Sequence, residues 1–196
     1  MSFHLLFDLI RSSIIQIERR NNLKKHHSLN DSDFNKLRQG FILYDSLFCE
    51  KTIIYTFNCE NRLQKLNVHF EKTNFLHLSG ISYYQSPVKF YSDLKSHHVN
   101  RNRLLYKNSQ TKLKLDVLPE LDLLIDCDQI RVTLNGSLLQ LQFNNLIRSK
   151  KAIIALACDK SSSTSVSYPK SLLNLHYGNF NQKSFPVTDI QIFNYK

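Results

Sequence analysis

The residues of this chain best suited to chemistry fall in short tracts. In Phe75-Leu76-His77-Leu78-Ser79-Gly80-Ile81 one histidine stands between leucines, just ahead of a Ser-Gly break. Imidazole titrates near neutrality, so a histidine there suits general acid–base work, such as moving the proton of a hydroxyl that attacks a neighbouring phosphate. A histidine hydrogen-bonded inside a core has the same local sequence. In Tyr168-Pro169-Lys170-Ser171-Leu172-Leu173-Asn174, Pro169 fixes the backbone and Ser171 is placed to cap a short helical turn. Free amides beside Lys170 would then make a phosphate site. An ordinary capped helix with a solvated lysine reads the same way. Just after His77, Tyr83, Tyr84 and Lys89 supply rings to stack a base and a cation to hold a phosphate. Further on, His97, His98, Arg101, Arg103, Lys107, Lys112 and Lys114 form a basic tract that adds charge to a binding rim, or serves as a solvated loop.

Composition sets the partner class. The 196 residues carry 26 Lys and Arg against 16 Asp and Glu, a formal net charge of +10. A basic protein of this kind favours polyanions, whether nucleic acid, an anionic membrane or an acidic partner, unless the charge serves solubility alone. With 42% hydrophobic residues the chain can bury one sizeable core. No stretch approaches the ~20 apolar residues of a membrane span, and Asp8, Arg11, Gln16 and Glu18 interrupt the first twenty residues, so no signal peptide and no membrane partner are expected. The cysteines Cys49, Cys59, Cys127 and Cys158 are scattered, as in reduced cytoplasmic proteins. No HExxH, paired-Asp or Cys/His ligand spacing occurs, and no Gly-rich phosphate loop, so neither metal nor cofactor is expected.

The elements that must position these tracts follow from periodicity. Residues 3–20 carry a helical stripe of Phe3, Leu6, Ile10, Ile14 and Ile17, and 21–30 form a basic linker. A second helix begins at Ser32 with the stripe Phe34, Leu37, Phe41, Tyr44 and Phe48, interrupted only by Gly40. From Lys51 the period changes to two. Strands are predicted over 52–57 and 66–70, the latter turning His69 away from its apolar side, and His77 falls on the next short strand. Ser86 caps a helix with Pro87 at its first position and Val88, Tyr91 and Leu94 inward. Residues 96–112 read as irregular, and Pro119 opens a third helix with Leu121, Leu124 and Ile125. Asn135-Gly136 predicts a two-residue hairpin turn pairing Val132 with Leu139 and Ile130 with Leu141. Residues 151–158 read as a central strand, 161–165 as a serine-rich loop and 185–193 as a last strand with Thr188, Ile190 and Ile192 on one face. The expected fold is α+β: an N-terminal helical hairpin (1–50), then a twisted, mostly antiparallel β-sheet with short packing helices (51–196).

The tract around His77, Phe90-Tyr91, the apolar strand at 151–158, the Tyr168–Asn174 tract and a closing strand with Val187 and Ile190 together resemble the barnase–EndoU–colicin–RelE superfamily of small nucleases, in particular a branch of phages and mobile elements. The resemblance covers roughly residues 60–195. It implies metal-independent RNA cleavage leaving a cyclic phosphate, and a toxin or effector acting on host RNA, with a cognate antitoxin or immunity protein as a further partner. His77, Lys170 and Ser171 occupy matching motif positions. A second histidine in a recognisable partner motif is missing, with His69 and His176 as candidates. The reading is an endoribonuclease with His77, Lys170 and Ser171 as catalytic residues and Tyr83, Tyr84, Lys89, Arg101 and Arg103 binding RNA. Two others stay open. One is a non-catalytic RNA- or protein-binding module, with homodimerisation through the N-terminal helices. The other is a nucleotide-dependent modifying enzyme that uses the His tract to hold a ribose.

Overall fold

The computed structural model of the protein describes residues 28–138, 141–151, 153–161, 165–176 and 182–194. The helix expected over 3–20, most of the basic linker and the middle of the serine-rich loop lie outside these residues.

Helix α1, Asp31–Leu47, is capped by Asn30, whose side chain accepts from the Asp33 amide, so the cap sits two residues before the Ser32 expected. Its stripe is buried as expected: Leu37, Phe41 and Tyr44 lie in the core. Gly40 is a contact residue as well as an interruption. A Cβ there would lie 2.7 Å from Leu118 Cβ, so the glycine lets α1 press against the 3-10 segment Leu118–Leu124. That segment replaces the third helix expected from Pro119, and it still buries Leu121 and Leu124.

Strands β1 (Lys51–Cys59) and β2 (Arg62–Phe70) form an antiparallel pair. Helix α2, Asn74–Ser79, follows. Here the expectation of a strand is corrected. Phe75 and Leu78, three apart, are both buried, and His77 points out, as a helical turn requires. Gly80 ends the helix in the left-handed region at φ +68°, a position that favours glycine. Short β3 (Ile81–Ser82) pairs with β4 (Leu105–Tyr106). Between them lies α3, Pro87–Lys95, capped by Ser86 with Pro87 in its first turn, as expected. Its inner face is Phe90, Tyr91 and Leu94; Val88 is 53% exposed and not inward as expected.

The stretch expected to be irregular ends in helix α4, Gln110–Val117. Strands β5 (Ile130–Leu138), β6 (Leu141–Ser149), β7 (Ile154–Lys160), β8 (Val166–Asn174) and β9 (Phe185–Asn194) complete the fold. The β5–β6 register pairs Leu138 with Leu141 and Ile130 with Ser149, so the hairpin does not turn at Asn135-Gly136. Asn135 keeps a left-handed φ of 41° inside β5. Gly136 leaves room for the Phe143 ring, whose Cζ would lie 3.0 Å from a Cβ there. Residues 168–174 are strand β8, not a turn into a helix, so no helix N-terminus stands beside Lys170. Pro169 is tolerated because the β7–β8 register slips between Ala157 and Cys158, at its own position in the pairing. On β9 the buried residue is Val187, while Thr188 and Ile192 are exposed.

The expected open sheet is a closed barrel in the order β1-β2-β8-β7-β6-β5-β9, with β9 returning to β1. Every pairing is antiparallel except β2–β8. Closure removes the edges an open sheet would present. Ile53, Tyr55, Phe57, Val68, Val132, Ile147, Leu156 and Leu172 join Leu37, Phe41, Tyr44, Phe75, Phe90 and Leu115 of the helices in one hydrophobic cluster. The helices and barrel therefore share a core. A second cluster, Phe143, Leu146, Ala155, Ala157 and Leu175 with Leu141 and Leu173, covers the other face of β6–β8.

Candidate active site

Helices α2 and α4 both lie against β8, and a cleft of about 500 Å³ opens where they meet it. That volume lies within the roughly 300–1,000 Å³ usual for small-ligand sites. His77 of α2, Lys107 and Asn108 ahead of α4, Gln110 and Lys114 of α4, and Lys170, Ser171 and Asn174 of β8 line it. No Asp or Glu does. Among the described residues no carboxylate stands within ion-pair distance of Lys107 or Lys114. A cleft walled by cations, with Lys107 and Lys114 unpaired among the described residues, favours an anion.

Local chemistry fixes this geometry. The Thr111 hydroxyl donates to the Gly80 carbonyl (2.6 Å) and accepts from the Lys107 and Asn108 amides (3.1 and 3.3 Å), tying the end of α2 to the start of α4. Asn174 donates its side-chain amide to the Leu113 carbonyl (3.3 Å), joining α4 to β8. Lys114 Nζ donates at 3.4 Å to the His77 carbonyl, which also accepts from the Gly80 amide (3.2 Å) at the C-terminal end of α2. The missing side chain of Gly80 admits the Lys114 stem, whose Cδ would lie 2.9 Å from a Cβ there.

His77 is exposed as a residue, yet its ring is partly desolvated in the cleft. Burial lowers its pKa, the charges of Lys114 and Lys107 add to this, and the Lys170 main chain, which favours the protonated ring, offsets part of it. The imidazole is thus neutral at pH 7 and able to accept a proton. Burial, with the charge of Lys107, pulls the half-buried Lys114 ammonium down to about 8.

The structure gathers only some of the residues singled out from the sequence. Lys170 and Ser171 do meet His77 at the cleft. Lys170 Nζ, however, pairs with Asp159 and donates to the Gln142 carbonyl, each at 2.8 Å. Ser171 shares a face with Leu173, its Oγ only 3.4 Å from the Leu172 carbonyl. Tyr83 lines a smaller hollow of about 260 Å³ that shares His77, Gly80 and Lys107 with the main cleft. Its hydroxyl donates to Asp93 (2.7 Å), and Lys89 pairs with the same carboxylate (2.5 Å). Tyr84 is 55% exposed, packs edge-on against Tyr83 and lies under the Arg103 guanidinium, 5.3 Å from the ring centroid. Arg101 is elsewhere, in a groove with Phe34, Arg38 and His97, and ion-paired to Asp31. His69 is buried, its Nδ1 3.0 Å from Thr52 Oγ1 and its ring edge-on to Tyr168. Neither His69 nor His176 lines the cleft.

The sequence did not single out Lys107 and Lys114 from the rest of the basic tract. The missed signal was helical spacing: Gln110, Leu113 and Lys114, three and four apart, share the face of α4 that lines the cleft. Among the described residues no three His, Cys, Asp or Glu side chains converge as metal ligands. None of their helices is long and apolar enough to cross a membrane.

A cationic cleft beside a histidine held below its ordinary pKa suits acid–base chemistry on an anionic substrate. The chain belongs to the phage-Barnase-EndoU-ColicinE5/D-RelE like nuclease4 family, whose model matches residues 36–195. The match takes in the whole barrel and the cleft, and begins inside α1. No curated protein and no solved structure matches the chain.

Proposed function

We propose that the protein is an endoribonuclease, a toxin or effector of a mobile element, that cleaves RNA without a metal ion. The observation that carries this reading is the cleft, in which a neutral histidine faces lysines with no carboxylate among the lining residues. Neutral His77 takes the proton of the ribose 2′-hydroxyl as its oxygen attacks the adjacent phosphorus. The P–O5′ bond breaks, and the products are a 2′,3′-cyclic phosphate and a free 5′-hydroxyl. Lys107 balances the charge gathering on the non-bridging phosphate oxygens, an electrostatic contribution that is often the largest in such reactions. Ser171 orients one of those oxygens. The Lys170 main chain holds the His77 ring, and its ammonium closes the rim of the cleft. Tyr84, exposed and backed by Arg103, stacks the base beside the scissile phosphate.

His77 projects from α2 while Phe75 and Leu78 hold the helix down, so its replacement spares the fold. His77→Ala is expected to melt within about 1 kcal/mol of the wild type and to lose roughly 10²–10⁴-fold in cleavage rate. A folded His77→Gln variant that cuts RNA at the wild-type rate would remove His77 from the chemistry.

A further inference from the structure

We infer that Lys114 is the general acid of this site, donating its proton to the departing 5′-oxygen while His77 acts as the base. The inference rests on the cleavage reading above and adds the second proton-transfer group it lacks. Among the described residues no second imidazole lines the cleft. Its place is taken by a lysine whose stem is threaded past Gly80 and whose ammonium stands 3.4 Å from the carbonyl of His77 itself.

The surroundings set the two groups to opposite tasks. The titratable groups facing Lys114 are His77 on α2, Lys107 ahead of α4 and Lys170 on β8. The carboxylates on the α1–α4 seam, Asp33 and Asp116, are both engaged by Lys36, and Asp159 by Lys170. Nothing anionic among the described residues restores the ammonium, and its pKa falls to about 8. Near neutrality Lys114 is charged but holds its proton loosely, while the imidazole is empty. Environments that push two neighbouring pKa values to opposite sides of the working pH assign one group as base and the other as acid. The proton balance then closes. His77 gains the 2′-hydroxyl proton and Lys114 loses one to O5′, and solvent resets both after product leaves.

The test uses the full chain and an RNA oligonucleotide cleaved at a mapped position. A second oligonucleotide carries sulfur for the bridging 5′-oxygen there, because a thiolate leaves without protonation. Lys114→Met keeps the apolar stem, and Lys114→Arg keeps the charge with no proton to give near neutrality. Both variants are expected to lose about 10²-fold or more on the oxygen substrate and to recover to within about tenfold of wild type on the sulfur substrate. His77→Ala stays impaired on both. The wild-type rate on oxygen falls as pH rises past about 8, and that alkaline limb is absent with sulfur. Equal losses on the two substrates, or full activity of Lys114→Arg on oxygen, would overturn the assignment. If the wild type cuts neither oligonucleotide nor any RNA, the cleavage reading itself falls and the assignment with it. Activity on RNA without sulfur rescue sinks the assignment alone.

Discussion

The Lys114 charge depresses the protonation of His77. Burial is the first reason His77 titrates below its ordinary 6.5, and the Lys114 charge is the second. As a base His77 must be neutral, so cleavage should rise with pH through a value below 6.5 and level off at neutrality. Lys114→Met removes the stronger of the two neighbouring charges, and the His77 ring should then titrate at higher pH than in the wild type. A ¹H–¹⁵N NMR titration of the imidazole reads this without any substrate. An unchanged or lower value would mean that the ammonium does not act on the ring. His77 was legible as a candidate because a histidine between leucines stands out. Lys114 was not, since its burial and its distance from every described carboxylate arise only when α4 meets β8.

The short elements carry the active geometry, and they are also the ones the sequence describes least well. Gly80 joins α2 to β3 at φ +68° and makes room for the Lys114 stem. Gly80→Ala should cost about 1–2 kcal/mol from the left-handed backbone alone, measured by denaturant unfolding. Its loss of activity should exceed what that destabilisation explains, because the Lys114 stem must shift. Wild-type turnover in a folded Gly80→Ala protein would show that the position of Lys114 does not matter. Strong local signals gave the right elements: the β-branched run of β1, the Ser86-Pro87 start of α3, and the apolar run of β7. Weak or mixed ones failed. Six residues of α2 are too few to separate a period of two from one of 3.6. In α4, Leu113, Leu115 and Val117 alternate like a strand, and the packing against β8, α1 and the 3-10 segment decides for helix. Pro169 in β8 read as a turn because a proline is expected outside central strands, and the register slip that accommodates it, with Lys170 as the extra residue of β8, exists only once β8 pairs with β7.

At the scale of the molecule, an α+β fold with a mostly antiparallel sheet was legible, and closure was not. Closure depends on β9 finding β1 and on β2 lying parallel to β8, pairings between segments far apart in sequence. The result is a rigid wall at β8 on which α2 and α4 set the cleft. Part of the net charge of +10 is expressed there as Lys107 and Lys114, which have no carboxylate partner among the described residues. If roughly three or four phosphates are contacted, RNA affinity should fall about 10- to 60-fold between 50 and 200 mM salt. A filter-binding series with His77→Ala, which leaves the lysines in place, measures this without turnover. Affinity independent of salt would place RNA somewhere other than this cleft. The most direct measurement incubates the full-length protein with total RNA and tRNA in EDTA, beside His77→Ala, and determines the chemistry of the new ends. Discrete fragments ending in 2′,3′-cyclic phosphate and 5′-hydroxyl, absent with His77→Ala, are the expected result. Intact RNA with a folded, RNA-binding wild-type protein, or cleavage that His77→Ala retains in full, would contradict it.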